Sequence, residues 1–339
     1  ITGASNTFVG NAAGDVNTAS NNVFVGADAG GANTTGTSNT FVGTSAGLVN
    51  VTGVSNTFIG KGCGDANTAN DNTFVGADAG GANITGTSNT FVGMSAGLLN
   101  VAGTSNTFLG KGAGDASTAS DNTFVGADAG GANTSGTANT FVGTSAGLLN
   151  VTGASNTFIG KGAGDVSTAS DNTFMGADAG GANSTGASNT FIGTRAGLVN
   201  TTSSFNTFLG ATAGDANTGS LNTFLGYNAG GGNTSSASNT YIGANAGAIN
   251  ASAFNTFVGA NAGAGSTGDN NTFLGAGAGE NTLAGSDNTF IGKQAGDVNQ
   301  GNSNTFVGTD AGGANLNGVN NTFLGKGTGL LNTSGSNNT

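Results

Sequence analysis

One phrase, Asn-Thr-Phe-aliphatic-Gly, recurs twenty times in 339 residues with only a rare letter changed. Its aromatic residues are always 16 or 17 positions apart: Phe8, Phe24, Phe41, Phe58 and so on to Phe323, with Tyr241 the single replacement for Phe. A short fixed period means one small unit stacked upon itself, and this overrides the two or three globular domains that length alone would suggest. The unit runs end to end without a linker or a shift in composition. Residues 1–339 therefore read as a single elongated repeat domain. Residues 1–5 match the tail of a preceding repeat (compare 51–55) and Asn338-Thr339 open another. The expectation is a window cut from a longer fibre protein, without the caps that close a solenoid.

With the ring as position zero, Gly stands at +2 and at +6 in all twenty repeats, Asn at −2 in all, Thr at −1 in all but Val23, and Val, Ile, Leu or Met at +1 in all. Asn also dominates +9, with Ser or Thr in four repeats. Two fixed glycines per repeat cost about 1 kcal/mol each in a helix, which argues against helix. Asn-Thr-Phe-Val bounded by Gly suits a short strand, and a second short strand is expected from Ala13 to about Asn17. Glycine after each strand permits the positive φ of a tight corner. Each repeat thus reads as one coil of an all-β parallel β-solenoid, or β-roll, of about twenty coils. Coils stacking at about 4.8 Å would give a rod on the order of 95 Å. Phe8, Phe24, Phe41 and Phe58 begin a continuous ring stack. Asn6, Asn22 and Asn39 begin an amide ladder that bonds the Asn above and below. The extra residue of the longer repeats falls after +9, at a corner expected to face solvent.

Composition then narrows the function. Gly numbers 67 and Pro none, charged residues are 7%, and each repeat carries an aromatic, unlike a disordered chain. Net charge is −11 with six basic residues, too few for a phosphate-binding stripe or a polybasic lipid patch. No apolar run approaches the ~20 residues of a membrane helix. No nucleic acid and no membrane insertion are expected for this segment. There is no His and one Cys, so Ser-His-Asp, Cys-His and His-metal sites cannot be assembled, and no enzyme is expected. Cys63 occupies the +5 slot where other repeats place Ala, and reads as a small buried thiol.

Strand side chains alternate, so Phe8 points away from Thr7 and Val9. Rings line one face, and Val9, Val25, Val42 and Ile59 begin an aliphatic column on the other. Further apolar residues stand at +8 (Val16, Val49, Leu99) and, every third coil, at +7 (Leu48, Leu98, Leu148). One coil cannot wrap all of these, and a long exposed apolar row marks an interface. Lateral association along a parallel axis is the expectation.

The pattern Asn-Thr-Phe-Val-Gly-x-x-Ala-Gly-x-x-Asn resembles the head repeats of trimeric autotransporter adhesins (YadA-like). It is more similar still to the 17-residue repeats of bacterial and phage tail-fibre-like surface proteins. The resemblance covers the whole chain. It implies a parallel homotrimer of left-handed β-rolls on an extracellular surface fibre, with adhesion or presentation as its role and a host-surface or glycan receptor as partner. The adhesin heads differ in having a shorter repeat and a small residue where this chain has Phe.

A second period of 50 residues, three coils, cycles Asp, Gly and Leu through +7 (Asp15, Gly31, Leu48, then Asp65, Gly81, Leu98). It sets like charges in one slot about 14 Å apart, beyond the Debye length of ~8 Å, and is expected to limit repulsion along the stack. Asp28, Asp78, Asp128 and Asp178 in Gly-rich turns are the Ca²⁺ candidates, weighed against plain solvated turn residues because carboxylates in one slot recur only every third coil. No other cofactor is expected. Asn-x-Ser/Thr at Asn33, Asn50, Asn83, Asn133 and Asn150 raises glycosylation of outer turns. The leading expectation is a rigid homo-oligomeric fibre segment at the cell surface. The alternative is a monomeric ice-binding or glycan-binding solenoid that presents its Thr ladder.

Overall fold

A computed structural model describes residues 3–339 as an all-β parallel β-solenoid. Ile1 and Thr2, assigned above to the tail of a preceding repeat, lie outside the described residues. The contacts group the chain into two compact units, Ile1–Asp171 and Asn172–Thr339. Each contains ten three-residue strands, from β1 (Thr7–Val9) to β10 (Thr157–Ile159) in the first and from β11 (Thr173–Met175) to β20 (Thr322–Leu324) in the second.

Within each unit successive strands pair in parallel and in strict register, ring opposite ring, as in Phe24 with Phe41 and Phe290 with Phe306. Ring centroids in the first unit lie 4.7–5.0 Å apart with the planes nearly parallel. The second unit repeats this spacing, for example 4.8 Å from Phe224 to Tyr241. This is the separation that offset aromatic pairs favour, and each such contact adds about 0.5–1.5 kcal/mol beyond burial. The interior of a coil is thin: one ring, the Ala at +5, and two Asn side chains, all buried.

The expected second strand from Ala13 to Asn17 does not form. That segment is two consecutive tight turns, closed by Ala13 N–H to Gly10 O at 3.5 Å and Asn17 N–H to Gly14 O at 3.0 Å. The cause is left-handed backbone at +4 and +6, with φ of 54° at Ala12 and 62° at Gly14, which reverses the chain where a strand would extend it. The segment still bonds coil to coil, as in Gly14 N–H to Ala29 O at 3.0 Å, so inter-coil pairing is not confined to the strands.

The two glycine columns have different causes. Gly93, at +2, has φ of 141°, and a Cβ there would lie 2.4 Å from the carbonyl oxygen of Gly110 in the next coil. Gly97, at +6, has φ of 58°, and its Cβ would strike the Phe91 ring at 2.5 Å. The first glycine admits the neighbouring coil and the second admits the ring.

The Asn ladders form, with one revision. At −2 the amide mainly bonds backbone, and bonds the −2 amide of the preceding coil only near the end of the second unit, as in Asn288 Nδ2 to Asn271 Oδ1 at 3.2 Å. Asn22 Oδ1 accepts the N–H of Asn39 at 2.9 Å, and Asn22 Nδ2 donates to Gly36 O at 2.9 Å. Asn6 holds Asn22 in the same way at 2.8 Å. At +9 the bond does run amide to amide, as in Asn83 Nδ2 to Asn67 Oδ1 at 2.6 Å. Most buried amides thereby gain a partner from the adjoining coil, which offsets the desolvation cost of placing them inside; Asn150, Asn200 and Asn217 are exceptions. Coils of 16 and 17 residues share this frame because the longer ones let two N–H groups, Thr34 and Thr35, share the carbonyl of Val51 at the exposed corner.

Candidate interaction surface

The ring column is sheltered inside its own coil: Phe24, Phe41 and Phe58 are fully buried. The aliphatic column at +1 is not. Within the first unit Val25 and Val42 are half-buried and Ile59 is exposed, and Leu109 keeps 46% of its surface. In the second unit Leu209 keeps 42%. The +8 residues Val49, Leu99, Leu149 and Val199 are exposed as well. Thr at −1 stands beside the aliphatic column on the same outward face of each strand, half-buried at Thr40 and Thr57 and exposed at Thr73 and Thr90. Each unit therefore presents a continuous, in-register face of Thr and aliphatic columns with one coil between successive steps.

The Leu residues at +7 are half-buried because they lean on their neighbours. A Cβ on Gly31 would lie 3.3 Å from Leu48 Cδ1, so the Gly of the Asp–Gly–Leu cycle makes room for the Leu of the next coil. The same cycle separates carboxylates within one slot but not between slots. Asp65 faces Asp78, in a different slot of the next coil, and Asp115 likewise faces Asp128. Burial first, and then the neighbouring carboxylate, push Asp65 and Asp115 above the usual carboxylate range, against backbone hydrogen bonds that oppose the shift.

The Ca²⁺ candidates Asp28, Asp78, Asp128 and Asp178 all occupy the left-handed +4 position with exposed side chains. Pairs of carboxylates approach there, while groups of three or more His, Cys, Asp or Glu do not occur among the described residues. Ca²⁺ takes six to eight oxygens. The glycosylation expectation fails for a physical reason: Asn33, Asn50, Asn83, Asn133 and Asn150 are buried at +9, where the amide faces the interior. Cys63 is buried too, its Sγ–H donates to Phe74 O at 3.2 Å, and burial pushes the thiol up to about 12. Such a thiol is not a nucleophile at neutral pH.

Three columns escaped the reading of the sequence. Position −3 is left-handed in every described coil, as in Ser38 and Asp71 (φ 59° for both), and so is +4. The abundance of Ser, Asp and Asn at both positions is the signal that could have revealed them. Position −5 supplies the carbonyl that accepts from Asn at −2, and it holds Gly, Ala or Ser throughout. In the first unit it is Gly in coils of 17 residues (Gly36, Gly53) and Ala in coils of 16 (Ala19, Ala69). A Cβ on Gly36 would lie 2.4 Å from Asn33 Oδ1, so the longer coil excludes it.

Among the described residues no helix is long and apolar enough to cross a membrane. In comparison with known proteins, no family model and no curated protein matches this chain.

Proposed function

We propose that the chain is a structural segment of an extracellular fibre, assembled by lateral association of identical chains about a parallel axis, and used as an adhesin shaft or head. The observation that carries this reading is the aliphatic +1 column. It repeats at every strand, faces outward, and remains part-exposed after the coils have stacked. A row of this kind lowers its free energy when another apolar row covers it, at about 25 cal/mol per Å² buried. Three chains are the stoichiometry that the likeness to YadA-like and tail-fibre-like repeats suggests. The chemistry fits a scaffold rather than a catalyst, since the sequence has no His and its one thiol is buried.

Mass in solution tests the reading. Light scattering or sedimentation of the chain at micromolar concentration is expected to give a discrete oligomer, and Val42→Asp, Val92→Asp and Val142→Asp together are expected to dissociate it. A stable monomer overturns the proposal.

A second reading is favoured by the Thr column at −1, which stacks in register beside the aliphatic one. A flat, regular Thr/aliphatic array on a single chain would suit an ice surface or a glycan. Thermal hysteresis or glycan capture by a monomeric chain would select it, and the presence of aliphatic residues rather than a second Thr at +1 favours the fibre.

A further inference from the structure

The face proposed above has a defect as an assembly device: it is nearly the same in every coil. A column of Val, Ile and Leu can slide past its copy by one coil, or by the three-coil period, and recover the same contacts. Uniform repeats specify register poorly unless something non-repeating intervenes.

One stretch of the second unit does not repeat. Position −3 is Ser, Asp or Asn in most coils, but it becomes Phe205, Leu221 and Phe254 in three coils out of four, with Ser238 between. These side chains are 62%, 59% and 63% exposed. Their φ values are 61°, 62° and 61°, a left-handed conformation that bulky residues rarely adopt. Two costs to the isolated chain, strain and exposed apolar surface, thus fall at the same sites. Residues 216–268 contain no Asp, Glu, Lys or Arg. Asp215, just before them, is ion-paired with Arg195 at 3.2 Å. Two copies that each carry −11 repel along most of their length, and this band is where a copy can approach without opposing like charge.

We propose that the band of Phe205, Leu221 and Phe254 is a self-recognition site that fixes the register of the assembly, by packing against the same band of a second, parallel copy of this chain. The inference rests on the lateral-association reading and adds to it the residues that decide alignment. A slip of one coil sets Phe205 against the level of Leu221 and Phe254 against that of Asp269–Gly275, and so leaves aromatic surface uncovered. The in-register arrangement covers all three at once.

The test separates register from association. In a Cys63→Ala background, Asn317→Cys carries a nitroxide at an exposed corner away from the band, and inter-chain distances are read by pulsed electron spin resonance alongside mass in solution. The parent chain is expected to give one narrow distance. The triple variant Phe205→Ser, Leu221→Ser, Phe254→Ser places at −3 the residue that Ser188, Ser238 and Ser303 already provide at the same left-handed φ, so the coil is kept. It is expected to keep the oligomer mass while its distance distribution splits into several populations. A variant that stays narrow, or one that falls to monomer, overturns the register role, and a parent with broad or antiparallel distances does the same. A monomeric parent overturns this inference together with the association reading, whereas an oligomeric parent whose register survives the substitution overturns this inference alone.

Discussion

The coils around Phe24 to Phe141 and those around Phe191 to Phe257 have the same ring spacing, near 4.8 Å in both, yet their polar interiors differ. In the first set the amides of the Asn22 and Asn83 columns reach neighbouring coils, and −5 obeys the length rule. In the second set Ser203 and Ser236 occupy −5 in coils of 17 residues, where Gly stands elsewhere. Both side-chain atoms of Asn200, beside Ser203, are buried without a partner, as are those of Asn217, beside Gly219; in the first set Asn150, beside Gly153, is the one amide left in that state among the described residues. The Tyr241 hydroxyl is also buried, close to Asn255 but outside hydrogen-bond geometry, and burial pushes that phenol above the ordinary tyrosine range. The aromatic stack thus tolerates irregular sequence, because offset stacking asks only for a ring at the right height. The amide network is less forgiving, because it needs a donor, an acceptor and an unobstructed path between them. The region with the poorer interior is also the region with the unusual exterior. Such coincidence of local rule-breaking is what a functional segment is expected to show.

The largest effect should come from the stack itself. Phe91→Ala removes a fully buried ring flanked by rings 4.8 and 4.7 Å away, and is expected to cost about 3–5 kcal/mol. Phe224→Ala deletes a ring with equally close neighbours and is expected to cost a similar amount. What should differ is where each coil begins. In native-state hydrogen exchange of the parent chain, amides around 200–258 are expected to exchange faster than those around 72–142, because orphaned amides lower local stability. Equal protection of the two regions would erase the comparison.

Much of this was legible before the structure was known. The ring period set the coil, and the alternation of Thr7-Phe8-Val9 set which column goes inside. What the sequence concealed is conformational. Ser38, Asp71 and Asp28 look like ordinary polar surface residues, and only the backbone reveals them as left-handed corners. The segment from Ala13 to Asn17 reads as a strand in sequence because its residues recur in every coil. Turns stacked coil on coil produce the same periodicity. Carboxylates in one slot are three coils apart, but the approach of Asp65 to Asp78 joins two slots, a relation that exists only once the coil is wound.

Restoring the interior of the second region should come next in size. Ser203→Gly is expected to let the Asn200 amide reach the −5 carbonyl as Asn33 Nδ2 reaches Gly36 O at 3.0 Å. Satisfying a buried amide is worth about 1–3 kcal/mol, offset by roughly 0.5–1 kcal/mol for the added freedom of Gly in the unfolded chain. A net gain of about 1 kcal/mol, read as slower exchange in the coils around Phe191 and Phe208, is the expected outcome; unchanged exchange would mean that Ser203 is not what displaces the amide. On the outside, Phe205→Ser alone should change the stability of an isolated chain by less than about 0.5 kcal/mol, since both side chains carry a Cβ at the same left-handed corner. If the band packs against a copy, the same change should weaken the register of the oligomer, so its effect depends on the state measured.

The smallest effect concerns charge and runs the other way along the chain, since the regular coils hold Asp65 and Asp115 while 216–268 holds no Asp, Glu, Lys or Arg. Both carboxyls bind a proton more tightly folded than unfolded, burial being the first cause. Stability must then fall as pH rises from the ordinary carboxylate value of 3.8 through the raised folded value. At neutral pH the full penalty is present, and below 3.8 it is gone because both states are protonated. Asp65→Asn with Asp115→Asn is therefore expected to raise the melting temperature slightly at pH 7 and to lose that advantage near pH 3. Both groups are half-buried and still reach solvent, so screening keeps the gain small. Exchange measured across the same pH range should shift in the coils around Phe58 to Phe124 and stay level around Phe224 to Phe257. A uniform shift in both regions would show that the pH response comes from the net charge of the chain rather than from these two carboxyls.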